Sequence, residues 1–291
     1  MASVAFKQLS LEEPVIQTAE NEDLIKEAYT IRGLLEKGKP RNGRPLNILL
    51  LGNPGAGKSS FINSMIAAID KEGYVERART GRGGGAITPG LERIQVFENP
   101  DDYPEESQYK SKPCFWDFAG LYDSDESPVL QSLLRGQNCA GKRLEDMKGI
   151  WATLKNWWTG IAPEERRMHL VIYVHAAQHP PAETLLKTIQ GLTDPISQTE
   201  RNVTLMLVIT KADQIQDTKE YSRAKQLQMT ADNVGKILKM ERSVGRVFKV
   251  SSYAYETACV DDEMKRIHSI DKNMCKIWKS ILNESYYKYF K

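Results

Sequence analysis

The sequence predicts an α/β protein in three layers: a mainly parallel sheet flanked by helices, with one helix added before it and one after it. Short apolar runs and longer amphipathic runs alternate along the chain, the pattern of strands joined by crossover helices. One apolar run, Leu46-Asn47-Ile48-Leu49-Leu50-Leu51, breaks into Gly52-Asn53-Pro54-Gly55-Ala56-Gly57-Lys58-Ser59 and then into the helical pattern Phe61-Ile62-Asn63-Ser64-Met65-Ile66. With 291 residues, 41% of them apolar, the chain can bury a full core, most simply as one large domain with extensions.

The first element is a helix over residues 10–37, where Leu24, Ile25, Ala28, Ile31, Leu34 and Leu35 fall on one helical face. It stops at Gly38, and the turn-rich run GKPRNGRP leads to Leu46. Residues 1–45 are therefore expected to be a helical extension and linker. Next comes the strand into Leu51 and its glycine-rich loop, which matches G-x-x-x-x-G-K-S/T. The glycines let successive backbone N–H groups turn inward on a polyphosphate, Lys58 reaches the outer phosphates, and the Ser59 hydroxyl is placed to ligate Mg²⁺. Asn53, Pro54, Gly55, Ala56, Gly57, Lys58, Ser59 and Ser60 are the expected phosphate-binding residues of a P-loop NTPase.

Further strands are expected at Ile94-Gln95-Val96-Phe97, Cys114-Phe115-Trp116, Leu170-Val171-Ile172-Tyr173-Val174, residues 203–209, and Val247-Phe248-Lys249-Val250. Amphipathic helices are expected at residues 144–158, 182–191, 221–240 and 262–282. In the last, Ile267, Ile270, Met274, Ile277 and Ile281 recur at steps of three and four, a seam able to dock on the sheet or on a second helix. Residues 264–291 carry seven Lys/Arg against two acids, and residues 1–38 carry seven acids against four Lys/Arg, so the terminal helices are expected to attract one another.

Beyond the phosphate loop, Asp117-Phe118-Ala119-Gly120 ends a strand as D-x-x-G. An Asp there holds Mg²⁺ through water, and the Gly120 N–H meets a γ-phosphate. The apolar run Leu205-Met206-Leu207-Val208-Ile209 ends in Thr210-Lys211-Ala212-Asp213, which resembles the T/N-K-x-D base-recognition motif of P-loop GTPases. A carboxylate at Asp213 accepts two hydrogen bonds from guanine N1–H and its exocyclic amine, whereas adenine offers no such donor pair. The Lys211 stem lies along the base plane in this reading. The final strand runs into Ser251-Ser252-Tyr253, where such GTPases place a loop that touches the guanine oxygen, although the usual S-A-K is absent. Residues 70–90 form a long glycine-rich connection that by order is the first switch, with Thr88 completing the Mg²⁺ shell. Lys58, Thr88 and Gly120 are the expected catalytic residues, and Ser59, Thr88 and Asp117 the expected metal ligands. The order of these segments is that of a G domain, expected over residues 46–258 with an insertion at 122–168 and a C-terminal helix in 259–291.

Two features bear on turnover. Small Ras-like GTPases carry Gln directly after D-x-x-G to orient water, and here that residue is Leu121. Arg77, Arg79 and Arg82 lie in the switch, where one could offset transition-state charge in cis or across a dimer, or stay a solvated loop arginine. GTP hydrolysis is thus expected to be slow or activated by a dimer or partner; the alternative is a GTP-binding interaction module with little hydrolysis.

The G-K-S-S-F-x-N-S loop and helix, the Trp116-Asp117-Phe118-Ala119-Gly120-Leu121 segment, the insertion before the strand at residues 169–174, and Ser251-Ser252-Tyr253 together resemble the interferon-induced protein 44 family. The resemblance covers roughly residues 46–282 and implies a cytoplasmic, infection-linked protein that binds GTP or GDP with Mg²⁺. Expected partners are guanine nucleotide, a nucleotide-dependent homodimer and a protein of unidentified kind. The insertion holds Trp151, Trp157 and Trp158 beside Lys148 and Lys155, which either pack in a core or present a surface.

Composition excludes other classes. A net charge of +2 gives no electrostatic case for nucleic acid. No apolar run approaches the ~20 residues of a membrane-spanning helix, position 2 is Ala, and the Tyr289-Phe290-Lys291 end carries no prenylation box, so no integral membrane association is expected. Cys114, Cys139, Cys259 and Cys275 lack C-x-x-C spacing and no signal sequence opens the chain, which fits a reducing cytoplasm.

Overall fold

The computed structural model describes residues 14–37, 46–70, 73–80, 90–97, 113–121, 127–135, 167–194, 203–240, 245–253, 259–260, 263–264 and 266–282. In chain order the elements are α1 (Pro14–Lys37), β1 (Asn47–Leu51), α2 (Lys58–Ala67), β2 (Leu91–Gln95), β3 (Cys114–Phe118), α3 (Ser127–Leu134), β4 (Leu170–Ala176) and α4 (Glu183–Thr193). They continue with β5 (Thr204–Thr210), α5 (Arg223–Ile237), β6 (Val247–Lys249), the short pair β7 (Cys259–Val260) and β8 (Glu263–Met264), and α6 (His268–Ile281).

Six strands form one sheet in the order β2-β3-β1-β4-β5-β6, parallel throughout except for β2, which runs antiparallel to β3 at the edge. The mixed, mostly parallel sheet flanked by helices is the α/β fold that the alternation predicts. β1 pairs with β3 on one side and β4 on the other, Ile48 lying opposite both Phe115 and Leu170. The chain thus departs to opposite sides from β1, and this switch in strand order opens a crevice at the carboxyl ends of the strands.

Because side chains alternate along a strand, the apolar runs supply both faces. Ile48, Leu50, Phe115, Ile172 and Val208 pack under α1, α2 and α6. Leu49, Leu51, Trp116, Val171, Tyr173 and Leu207 pack under α3, α4 and α5. Helix α6 buries Ile270, Met274, Ile277 and Ile281 at the predicted spacing, with Ile267 half-buried at its N-cap; Trp278, outside that seam, is buried as well, and its indole N–H donates to the Met65 carbonyl at 2.7 Å. α1 lies against α6: Ala28, Ile31 and Leu35 are buried in the same cluster, and Lys279 pairs with Glu27 at 2.8 Å. That ion pair is solvent-exposed and weighs little, so apolar packing holds the two helices together. Among the described residues no helix is long and apolar enough to cross a membrane.

Three details differ from the expectation. β2 begins at Leu91 rather than Ile94, since its extent is set by antiparallel pairing from Leu91↔Phe118 to Gln95↔Cys114; Val96 and Phe97 are buried beyond it. α3 and the β7–β8 pair were not anticipated: each is too short to show a clear period, and because β8 takes Glu263–Met264, α6 starts at His268 rather than at 262. The expected helix at 144–158, with Trp151, Trp157 and Trp158, lies outside the described residues, as does Arg82.

Candidate functional site

The crevice is built on the end of β1. At Gly52 the chain leaves the sheet so close to β4 that a Cβ would sit 2.2 Å from the Val174 carbonyl oxygen. Gly55 and Gly57 adopt left-handed φ values of 71° and 86°, which other residues rarely accept. The loop then enters α2 directly, so its N–H groups and the helix N-terminus share one concavity. Lys58 is buried, its ammonium donating to the carbonyls of Gly52 and Asn53 at 3.3 Å each. Burial pushes its pKa down, and the Asp117 carboxylate opposes that shift.

The D-x-x-G segment comes to the same place. Asp117, fully buried near the end of β3, accepts a hydrogen bond from the Ser59 hydroxyl at 2.6 Å. Gly120 rests on the phosphate loop, where a Cβ would fall 2.4 Å from both Cα and N of Pro54. The next N–H, that of Leu121, donates to the Gly52 carbonyl at 3.1 Å. Across the β2–β3 pair Glu92 stands opposite Asp117. Burial pushes the Glu92 pKa up, Asp117's charge raises it further, and Arg79 works against both.

The T-K-x-D segment is tied to this frame from the other side. Thr210 is buried, and its hydroxyl donates to the Ala56 carbonyl in the phosphate loop at 2.6 Å and to the His175 carbonyl at 3.2 Å. Lys211 takes a left-handed turn (φ 55°), after which Ala212, Asp213 and Gln214 form one 3-10 turn with Asp213 exposed. The Ala212 N–H donates to Val250 at 3.2 Å and the Val250 N–H to Ile209 at 2.8 Å, so this turn and the Ser251-Ser252 loop are stitched together. Both serines are half-buried, and the Ser252 hydroxyl oxygen is buried with no hydrogen bond among the described residues. Asn53, Lys58, Ser59, Asp117, Gly120, Thr210, Lys211, Asp213, Ser251 and Ser252 thus line or support one crevice. Thr88 lies outside the described residues.

One expectation is corrected. Arg77 is no free switch arginine: its guanidinium pairs with Asp70 at 3.0 Å, both side chains being largely buried. Its backbone N–H and that of Ala78 donate to the Asn63 carboxamide at 3.0 and 2.7 Å, which holds this stretch on α2. The Leu121 side chain is in the core beneath α3 and α4. Sequence reasoning passed over Asn63 and Tyr173 as site residues. The first is a fully buried carboxamide between the apolar Ile62 and the buried Ser64, and a polar residue inside the run Phe61-Ile62-Asn63-Ser64-Met65-Ile66 is the signal that could have found it. The second hides in an apolar strand, its hydroxyl reaching the Asn53 side chain at 3.4 Å.

No family model and no curated protein matches this sequence. Among solved structures it is similar to Toc33 from Arabidopsis thaliana in complex with GDP and Mg²⁺, with 15% identity over 91% of this chain and 93% of that one and a TM-score of 0.49. It is also similar to the septin GTPase domain from Chlamydomonas reinhardtii (15% identity, 85% and 94% covered, TM-score 0.44). Era from Aquifex aeolicus bound to GDP and AlF4⁻ is 16% identical over 72% of this chain and 51% of that one, with a TM-score of 0.38.

Proposed function

We propose that this chain binds GTP and GDP with Mg²⁺ and hydrolyses GTP as a conformational or oligomerisation switch. One observation carries the proposal: the Thr210 hydroxyl bonds to the Ala56 carbonyl at 2.6 Å, so the turn bearing Asp213 and the loop bearing Lys58 ride on one frame. The exposed Asp213 carboxylate accepts from the two guanine donors; a base lacking one leaves it short of a partner, at a cost of about 1–3 kcal/mol. The phosphates lie on the N–H groups of residues 53–60, with Lys58 at the outer ones.

The donor set suits a hard cation. Ser59 Oγ and Asp117 Oδ2, 2.6 Å apart, are both oxygen ligands beside a phosphate loop, and Thr88 is the proposed third. When bound, Mg²⁺ neutralises charge on the β- and γ-phosphates. Gly120, seated on Pro54, presents its N–H where a γ-phosphate is sensed, so residues 119–121 and the Thr88 segment are the proposed moving parts. A nucleotide-dependent homodimer supplies the transition-state charge that Arg77 cannot. The resemblance to the interferon-induced protein 44 family supports a role in innate immune defence in the cytoplasm, through a protein partner that reads the two states.

The burial of Leu121 favours a second reading, a guanine-nucleotide-binding interaction module with little hydrolysis. Single-turnover phosphate release from GTP, measured across a range of protein concentrations, separates the two. Release that rises with concentration supports the dimer-activated enzyme, and no release at any concentration leaves only the module. For the base, Asp213→Asn is expected to weaken GTP binding roughly 5- to 100-fold while improving xanthosine triphosphate binding. Unchanged GTP affinity in that variant sinks the assignment.

A further inference from the structure

We infer that Tyr253 is a positioning residue for the guanine pocket: gripping Asp271 and the start of α6, it fixes the Ser251-Ser252 loop, so that the C-terminal helix sets how long the nucleotide stays. This placement presupposes the guanine site proposed above and extends it to a helix that no nucleotide motif reaches.

The serine loop is held at both ends. Upstream, Val250 bonds to Ile209 and Ala212, which sets the loop's height relative to the T-K-x-D turn. Downstream, the Tyr253 N–H donates to Ser64 Oγ at 2.7 Å, and Ser64 Oγ in turn donates to the Ser60 carbonyl, also at 2.7 Å. Ser64 is fully buried on α2, so the loop's exit is tied to the helix that begins at the phosphates.

What keeps Tyr253 there is its side chain. Its hydroxyl donates to Asp271 Oδ1 at 2.9 Å and accepts from the Ile267 N–H at 2.6 Å. Ile267 is the N-cap of α6, and its backbone N–H, one of the helix donors with no partner inside the helix, finds its acceptor in the tyrosine hydroxyl. Tyr253 and Asp271 are 1% and 2% exposed, and the ring packs on Tyr74 at 5.6 Å between centroids. Burial and the neighbouring carboxylate push the phenol pKa up, so the hydroxyl keeps the proton that it donates. The other carboxylate oxygen, Asp271 Oδ2, lies 3.6 Å from Arg266, which also donates to the Asp70 carbonyl; the Asp70 carboxylate holds Arg77. The serine loop and the first turn of α6 therefore share buried bonds, and the exposed Arg266 side chain links them to the root of the switch segment. A buried hydroxyl with both a donor and an acceptor in place has one rotamer, and so does the loop it ends.

The test uses the full chain and three readouts: release of a fluorescent GDP analogue, affinity for GDP against inorganic tripolyphosphate, and melting temperature. Tripolyphosphate touches only the phosphate loop. Tyr253→Phe keeps the ring and removes the hydroxyl. It is expected to speed GDP release by about three- to tenfold, the scale of one net hydrogen bond, while tripolyphosphate affinity stays within about twofold. Asp271→Asn keeps an oxygen acceptor for Tyr253 while giving up the 3.6 Å pairing with the exposed Arg266, and should release GDP within about twofold of the parent rate, whereas Asp271→Leu should reproduce Tyr253→Phe, and the double variant Tyr253→Phe/Asp271→Leu should be no faster than either. If Tyr253→Phe does not fold, the Asp271→Asn and Asp271→Leu pair carries the same comparison. Equal changes for GDP and tripolyphosphate, or none in a folded variant, overturn the inference while leaving the guanine site intact. A parent chain that binds ADP as well as GDP overturns both, and that result is read before any variant is made.

Discussion

Replacing Gly120 by Ala tests the contact on which the proposed switch turns. A Cβ there would lie 2.4 Å from the Pro54 Cα and N, backbone atoms of a loop that cannot yield as a side-chain tip can. Ordinary contact begins at 3.4 Å, so one of the two segments must retreat by about 1 Å. Retreat of residues 119–121 stretches the 3.1 Å bond from the Leu121 N–H to Gly52 and draws Leu121 against its packed neighbours. Overpacking of this kind costs about 1–3 kcal/mol, which for a chain of this size lowers Tm by roughly 2–6 °C. The ligand effect should exceed the stability effect. Moving the Gly120 N–H by about 1 Å forfeits a charge-assisted bond to the γ-phosphate, roughly a tenfold loss or more for a non-hydrolysable GTP analogue, with GDP changed less than threefold. Differential scanning fluorimetry and competition against a fluorescent GDP analogue measure both quantities. A variant with parental Tm and a parental ratio of triphosphate to diphosphate affinity would refute the seating of Gly120 on Pro54 and its part in phosphate sensing.

Lys58→Ala removes a buried ammonium held by two 3.3 Å contacts, so the melt should change little while triphosphate affinity falls roughly 10- to 100-fold; loss of cooperative unfolding would contradict a ligand-facing lysine. Trp278→Phe leaves the Met65 carbonyl without its 2.7 Å donor and should lower stability by about 1–3 kcal/mol in a urea titration, with nucleotide selectivity intact. Burial pushes the Cys275 thiol up from 9.0 to about 12. The folded chain then holds a proton that the unfolded chain releases above about pH 9, so this thiol's contribution to stability declines as pH rises from there toward 12. At pH 8, mass spectrometry should find Cys275 and the equally buried Cys114 unmodified by iodoacetamide until urea unfolds the chain, and labelling before the transition would contradict their burial.

Much of the fold was legible because its signals are local. Apolar runs of five to seven residues at β1, β4 and β5 are buried on both faces, and such strands announce themselves without a partner. The phosphate loop announces itself too, since glycine is the residue that most readily takes the left-handed turns at Gly55 and Gly57. What stayed hidden depends on distant partners. The start of β2 follows from its register with β3, not from its own apolarity. Arg77 looked free because its pairing with Asp70 exists only in the folded chain. Tyr253 reads in the sequence only as the last residue of the serine loop, yet its bonds run to Ser64 and Asp271, one of them 189 positions away.

The packing of α1 on α6 fixes when, as well as where, one face of the molecule closes. These helices cover the same side of the sheet, but about 230 residues separate Lys37 from His268. At a synthesis rate of about 5–20 residues per second, the nascent chain carries Ala28, Ile31 and Leu35 for roughly 10–50 s before Met274, Ile277 and Trp278 exist to cover them. The opposite face can assemble progressively from α3, α4 and α5 as each leaves the ribosome. The two faces therefore close in a fixed order, the one under α1 and α6 last, because its final helix is also the last made.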